Sequence, residues 1–414
     1  MNPSAIKLLV LGHLTVCLIT LPKAKATESK QIFEITGNER TDTNYIKKLA
    51  QGCMEDRNDL VFEVSPQLDS LKQCLLNSKL FSEVKTSIEG DRIKIGVEEK
   101  WTLIPAPFYQ SSGETRKAGI VLFETNFLGK GLTLALGATY SNRGNSFFGF
   151  FTDPSLYGTR YFTSLSARRE SATFELKEDN ENTEKLLEKS ISGSIILGYN
   201  FSWLRLSGQL SRNNRSYEGH EDFTVPEDYC TTQAGLTLEY DRRDYMLYFS
   251  EGFYARARYA ENLNQDDSAK RLKTANYLLS WQHKIVSDHA LYIQTTAAKN
   301  VGGRLTDAER VGSTKGFRGI ETRTAWAESY QTETLEYQMP IKSFEKGTLT
   351  WALFVDEGHI QNRGGNNSDA RYTAPGVGVY FYLKRLALPG LGLEYGVNHE
   401  YQGTFVNFSL GLSI

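Results

Sequence analysis

After its first two dozen residues the chain has no apolar run of the roughly 20 residues that a membrane-crossing helix needs, so any passage through a bilayer must be made by strands. Neither sign of charge dominates: 47 Lys and Arg face 49 Asp and Glu, for a formal net charge of -2, and no basic stripe argues for a nucleic-acid partner. Cysteine is scarce, four in 414 residues, and no Cys/His spacing resembles a metal site. There is no Gly-x-Ser-x-Gly elbow and no nucleotide or flavin fingerprint. His220, His283, His289, His359 and His399 are scattered without nucleophile or metal spacing, so the sequence carries no enzymatic chemistry and calls for no cofactor. Taken alone, 40% hydrophobic residues and a mean hydropathy of -0.41 describe an ordinary soluble protein; the order of the residues says otherwise.

The beginning reads as a secretory signal over residues 1–26: a cation at Lys7, an apolar run from Leu8 to Leu21, and the small-residue site Ala24-Lys25-Ala26. Residues 27–103 then carry a compact α+β pattern in the order β-α-α-β-β. Ile32, Phe33 and Ile35 form a short strand that ends at Thr36-Gly37-Asn38. A helix starting near Thr41 places Tyr45, Ile46, Leu49 and Ala50 on one face. A second, with Ser65 as its cap and Pro66 in its first turn, repeats Leu68, Leu71, Leu75 and Leu76. Two strands, Val84 to Glu89 and Arg92 to Glu98, close the unit across Gly90-Asp91. Cys53 and Cys74 fall on the two helices. Export permits a disulfide between them, and two buried thiols fit the pattern equally well.

From about Lys117 to Ile414, within a barrel domain placed at residues 104–414, the period changes to two. Leu132, Leu134, Leu136, Ala138 and Tyr140 alternate with Thr133, Ala135, Gly137 and Thr139; at the far end Val406, Phe408, Leu410 and Leu412 alternate with Asn407, Ser409, Gly411 and Ser413. About sixteen such segments begin near residues 117, 131, 146, 158, 171, 190, 203, 231, 252, 273, 289, 332, 347, 371, 389 and 404. A soluble sandwich also alternates, but here the second face is small and polar, as a wet lumen requires. Tyr140, Tyr199, Trp203, Tyr240 and Tyr259 stand at segment ends, where interface girdles form. The fold expected is a transmembrane β-barrel of about sixteen antiparallel strands with one N-terminal α+β domain.

ITGNERT at Ile35–Thr41, KLFSEV at Lys79–Val84 and IKIGVEEKW at Ile93–Trp101 resemble a POTRA domain of the BamA-type outer-membrane assembly and translocation superfamily. FETNFLGKG at Phe123–Gly131, DPSLYGT at Asp153–Thr159, EYDRRD and SEGFY between Glu239 and Tyr254, VGSTKGFRG at Val311–Gly319, LEYQMPI at Leu335–Ile341 and FVDEG at Phe354–Gly358 resemble, in order, the bacterial surface antigen barrel of that superfamily. The resemblance implies a bacterial outer-membrane protein with its small domain in the periplasm, acting on unfolded outer-membrane or secreted clients within outer-membrane lipid. Accessory envelope proteins are further candidate partners. It also implies a weak seam between first and last strands, here placed near Arg116–Glu124 and Thr404–Ile414, with Gly119, Val121, Phe408 and Gly411 at it. A translocator dedicated to one partner and a passive pore plugged by a loop are the rival readings.

A segment of about thirty residues, Asn300 to about Tyr330, is too long for a hairpin, and loops of that length are usually functional or disordered. The resemblance makes it a loop folded back into the barrel with an Arg-Gly-aromatic tip, matched by Lys315, Gly316 and Phe317, with Arg318 available in a shifted register. Alternation alone aims Glu336, between Thr334 and Gln338, and Asp356, beyond Thr350 and Ala352, into the lumen from neighbouring strands. A loop cation can settle between two such acids.

Overall fold

The computed structural model describes residues 32–57, 64–112, 114–178, 182–219, 225–264, 271–286, 288–312, 314–320, 325–362, 370–387, 390–398, 400 and 403–410. The signal segment 1–26, His220, His399 and Gly411 lie outside them. In the small domain β1 (Ile32–Thr36), α1 (Thr43–Arg57), α2 (Val64–Asn77), β2 (Phe81–Glu89) and β3 (Arg92–Glu99) follow the expected order. β3 is central, parallel to β1 and antiparallel to β2. Ile46, Ala50, Leu71 and Leu75 from the helices pack on Phe81, Val84 and Ile95 from the sheet, which is why apolar residues recur at helical spacing there. Asp42 caps α1: its Oδ1 accepts from the backbone N–H of Asn44 at 2.8 Å and of Tyr45 at 3.0 Å. A disulfide joins Cys53 of α1 to Cys74 of α2.

Sixteen long antiparallel strands form the barrel. They are β4 (Leu103–Ser112), β5 (Thr115–Phe127), β6 (Leu132–Ser141), β7 (Gly144–Asp153), β8 (Tyr161–Glu178), β9 (Asn182–Phe201), β10 (Leu204–Glu218), β11 (Tyr229–Tyr245), β12 (Ser250–Asn262), β13 (Lys273–Lys284) and β14 (Ala290–Val301), then β16 (Ala325–Phe344), β17 (Gly347–Asn362), β18 (Ala370–Leu383), β19 (Gly390–Asn398) and β20 (Gly403–Leu410). A three-residue strand, β15 (Glu309–Val311), belongs to the long loop and pairs with β16. Each long strand pairs with its sequence neighbours, and β20 returns to β4 to close the ring. Leu136, Leu197, Leu236 and Leu335 project outward as an exposed apolar wall, while Thr332, Thr334, Thr350 and Ala352 face a filled interior. Such a surface suits hydrocarbon, where a closed sheet leaves no backbone group unpaired.

The expected strand total holds through two offsetting errors. β8, 18 residues long, was expected as two strands starting near 158 and 171. β4 was not expected at all, since the alternation is read only from about Lys117 onward; the strand carries Pro105 and Pro107. The fold accommodates both prolines by the direction of their nitrogens. Thr102 O accepts from Thr125 N, which aims the backbone groups of even-numbered β4 residues at β5. Trp101, of the other parity, bonds through both N and O to Arg385 and Ala387 on the opposite side. Pro105 and Pro107 therefore turn their missing N–H groups toward β20. Gly119 and Val121 consequently lie on the second barrel strand, β5, away from the first-to-last seam.

The small domain sits against one rim. Asp42 N donates to Gly129 O at 2.8 Å, Asn126 Nδ2 to Thr41 Oγ1 at 2.9 Å, and Asn77 Nδ2 to Asp244 Oδ1 at 3.0 Å, while Glu98 pairs with Arg385 at 2.8 Å. Gly131 leaves room for Tyr45, whose hydroxyl would lie 2.0 Å from an added Cβ. Between α1, α2 and the β7–β8 and β9–β10 turns lies a cleft of about 1360 Å³.

Lys100 is buried at this interface, its ammonium 4.6 Å from the centre of the Tyr245 ring, with Lys79 5.5 Å from the same ring. Burial and the neighbouring Lys79 charge lower the Lys100 pKa from 10.5 to about 8. Undocked, Lys100 binds its proton up to pH 10.5; docked, it loses it above about 8. Docking is therefore expected to strengthen as pH rises from about 8 to about 10.5. A spin-label distance between α2 and the barrel rim should narrow its distribution across that window, and Lys100→Met should weaken the dependence, leaving the part due to Lys79, whose pKa burial also lowers.

Candidate functional site: a loop anchored in the lumen behind a short seam

Strands β14 and β16 are joined by the long loop, whose tip turns twice within the barrel: Phe317 N donates to Thr314 O at 2.7 Å and Ile320 N to Phe317 O at 3.2 Å. Both glycines of the tip have left-handed φ, +86° at Gly316 and +81° at Gly319. A side chain at either would be strained, and a Cβ on Gly316 would also approach Thr332 Oγ1 to 2.6 Å. Phe317 fills the space between the Tyr330 and Tyr372 rings, at centroid distances of 4.9 and 6.3 Å, and the Tyr372 hydroxyl donates to Gly316 O.

The centre of the cluster is Arg318, 1% exposed. Its Nε and one terminal nitrogen grip both Asp356 oxygens, at 2.9 and 2.8 Å, and its other terminal nitrogen lies 3.3 Å from Glu336 and 3.3 Å from Glu394. Asp356 also accepts from Gly316 N at 2.9 Å and from Thr334 Oγ1 at 2.8 Å, so the acid that is itself wholly buried has every oxygen occupied. The guanidinium lies 3.5 Å above the Phe354 ring. Lys315 makes a single contact of the kind a point charge makes, 3.3 Å to Glu336, and rests over Tyr292.

All six loop-anchor residues meet, then, with Arg318 in the shifted register taking the fork on Asp356 and Lys315 reaching only Glu336. Basic-Gly-apolar occurs twice in succession here, and Arg318-Gly319-Ile320 is the copy that takes the bidentate position. Glu394 was missed, although the parity argument that finds Glu336 reaches it: Leu391, Leu393 and Tyr395 face outward and Glu394 stands between them. Tyr380 donates to Glu394 at 2.8 Å. A second anchor, also unforeseen, ties the base of the loop to the far wall. Arg215 of β10 reaches Asp307 at 3.0 Å, and Arg310 pairs with Glu188 of β9 while lying 3.8 Å over Phe174 of β8.

The tip stands directly behind the closure of the barrel. A Cβ on Gly319 would lie 3.0 Å from the Phe405 ring of β20, and Asn407 of β20 donates to Glu394 at 3.2 Å. Among the described residues β20 pairs with β4 only from Phe405 to Phe408, against Ser112 to Tyr109, whereas β4 pairs with β5 along its whole length. Phe408 thus lies in the seam opposite Tyr109, and extending the register would set Leu410 against Pro107, where the ladder stops.

A model of the Omp85 superfamily domain matches residues 126–414, more than half of the chain. No curated protein sequence matches. Among solved structures, CdiB from Escherichia coli is similar at 12% identity with a TM-score of 0.65, covering 92% of this chain and 76% of that one. BamA from Haemophilus ducreyi lacking POTRA domains 1–3 is similar at 13% identity and a TM-score of 0.52, covering 92% and 84%. CdiB from Acinetobacter baumannii gives 12%, 0.58, 92% and 74%.

Arg318→Ala leaves three buried carboxylates with Lys315 alone, a loss of about 3–5 kcal/mol for breaking a buried pair. The tip is expected to undock, so that trypsin added outside intact cells cuts after Lys315. Lys315→Ala, which spares the fork, should leave the loop resistant to cleavage at Arg318.

Proposed function

The chain belongs to the Omp85 superfamily, and from that membership we propose that it inserts β-barrel clients into the bacterial outer membrane, or moves chains across it, through its β4–β20 seam. The observation that carries this reading is the seam itself. In hydrocarbon an unpaired strand edge is costly, so a ring closed, among the described residues, by four residue pairs is the place where opening costs least and where an incoming strand recovers most. The anchored tip supports that role from within: Arg318, Glu394 and Asn407 form a continuous polar link to the back of β20, which steadies the last strand while leaving its edge free to part.

The small domain lies on the periplasmic side in this reading. Among the described residues its outer strand β2 pairs on one side only, with β3, and the other edge suits β-augmentation by an unfolded client. A passive pore fits less well, because the loop crosses the lumen from the Asp356 cluster to Glu188 and Arg215, and α1 and α2 cover part of the rim.

Tyr109 and Phe408 are direct partners across the seam and both point outward, so a Tyr109→Cys/Phe408→Cys variant can lock it without touching the lumen. In proteoliposomes the unlocked protein should accelerate folding of a urea-unfolded eight-stranded barrel, or translocation of an exported chain. Oxidation should abolish the effect and reductant restore it. Undiminished activity in the locked form excludes the seam, and steady ion conductance with no effect on either client identifies a pore.

A further inference from the structure

The two sides of the seam are chemically unequal, and this inequality decides which strand can receive a client. Tyr109 and Ser111 of β4 face β20, and their partners Phe408 and Val406 face back. By the same alternation the open edge of β20 presents both an N–H and a C=O at Thr404, Val406, Phe408 and Leu410. The edge of β4 from Pro105 to Ser111 presents four carbonyls but only the two N–H groups of Tyr109 and Ser111. We infer that an incoming β-strand adds to the edge of β20, and that β4 is a lip which moves aside without templating it.

This rests on the seam being the route of entry and adds the direction of pairing. A strand laid along Pro105 and Pro107 would leave two of its own carbonyls without donors. In water these would be hydrated, but beside Leu122 and Ile120, which stand opposite the prolines on β5 and are exposed on the outer wall, no water replaces the missing partners. Each unsatisfied carbonyl weakens pairing on the order of tenfold or more. The prolines leave β4's own position secure, because its other edge keeps the ladder to β5 and Trp101 holds it from below through Arg385 and Ala387. The same two residues that keep the seam short thus make it one-sided. The strand that completes β20 must be extended, with apolar residues alternating to face lipid beside Phe408, which is the chemistry of an outer-membrane barrel strand.

The test uses the full protein in proteoliposomes and, as client, a urea-unfolded eight-stranded outer-membrane barrel with single cysteines along its first or last strand. Disulfides are read after arrest during insertion, from Phe408→Cys or Thr404→Cys on β20 and from Leu103→Cys or Tyr109→Cys on β4. The expected result is one client register linked to β20, at a yield on the order of tenfold or more above any linkage to β4. Pro105→Val/Pro107→Val, which restores both donors, should bring β4 linkages up to comparable yield. Register-specific linkage to β4 in the unaltered protein, or a double variant that behaves like the parent, overturns the direction of pairing and leaves the seam as the entry. Linkage to neither strand, with client folding still accelerated, overturns the seam and this inference together.

Discussion

The constraint on which the structure depends is that hydrocarbon supplies no hydrogen bonds. A sheet in that medium must close on itself, and closure makes one pairing that is not a hairpin. Here that pairing joins β20 to β4, far apart in sequence, and it is the shortest ladder of the ring among the described residues. Two prolines make it so by withholding donors on the one side where the neighbouring strand needs them. Elsewhere in the wall, proline at such positions would break a continuous ladder; at the closure it sets the length of the joint.

Behind the joint, a buried guanidinium replaces the missing strand contacts with a polar cluster. Arg318 holds Asp356 of β17, Glu336 of β16 and Glu394 of β19, so three strands meet on one side chain of a loop whose base is tied to β9 and β10. Burying an ion group is expensive in itself, and it is sustained here because every Asp356 oxygen and the whole guanidinium fork find partners. Breaking any member exposes the rest. The loop is held at two places, at its tip by Arg318 and at its base by Asp307 and Arg310, and spans the lumen between them.

Much of this is legible in the order of residues. Alternation locates most strands and aims Glu336 and Asp356 correctly, since a strand has only two faces. It fails at β4, where Leu103–Ser112 shows no clean apolar-polar alternation. It fails at β8 through length, since an 18-residue strand outruns the span of a membrane and reads as two. The sequence leaves two registers for the tip because Lys315-Gly316 and Arg318-Gly319 are alike in type, and only the geometry of a fork around Asp356 distinguishes them. Docking explains part of the family resemblance: Asn126, Gly129 and Gly131 in FETNFLGKG form the turn that receives Thr41, Asp42 and Tyr45. The disulfide was open because spacing alone does not fix the approach of two helices.

A barrel closed in this way is weakest at its closure. Hydrogen exchange of the intact protein in lipid tests it directly, residue by residue. The amides of Tyr109, Ser111, Val406 and Phe408 are expected to exchange far faster than those of β5, β6 and β16 at the same depth. Equal protection all the way around the ring would contradict it.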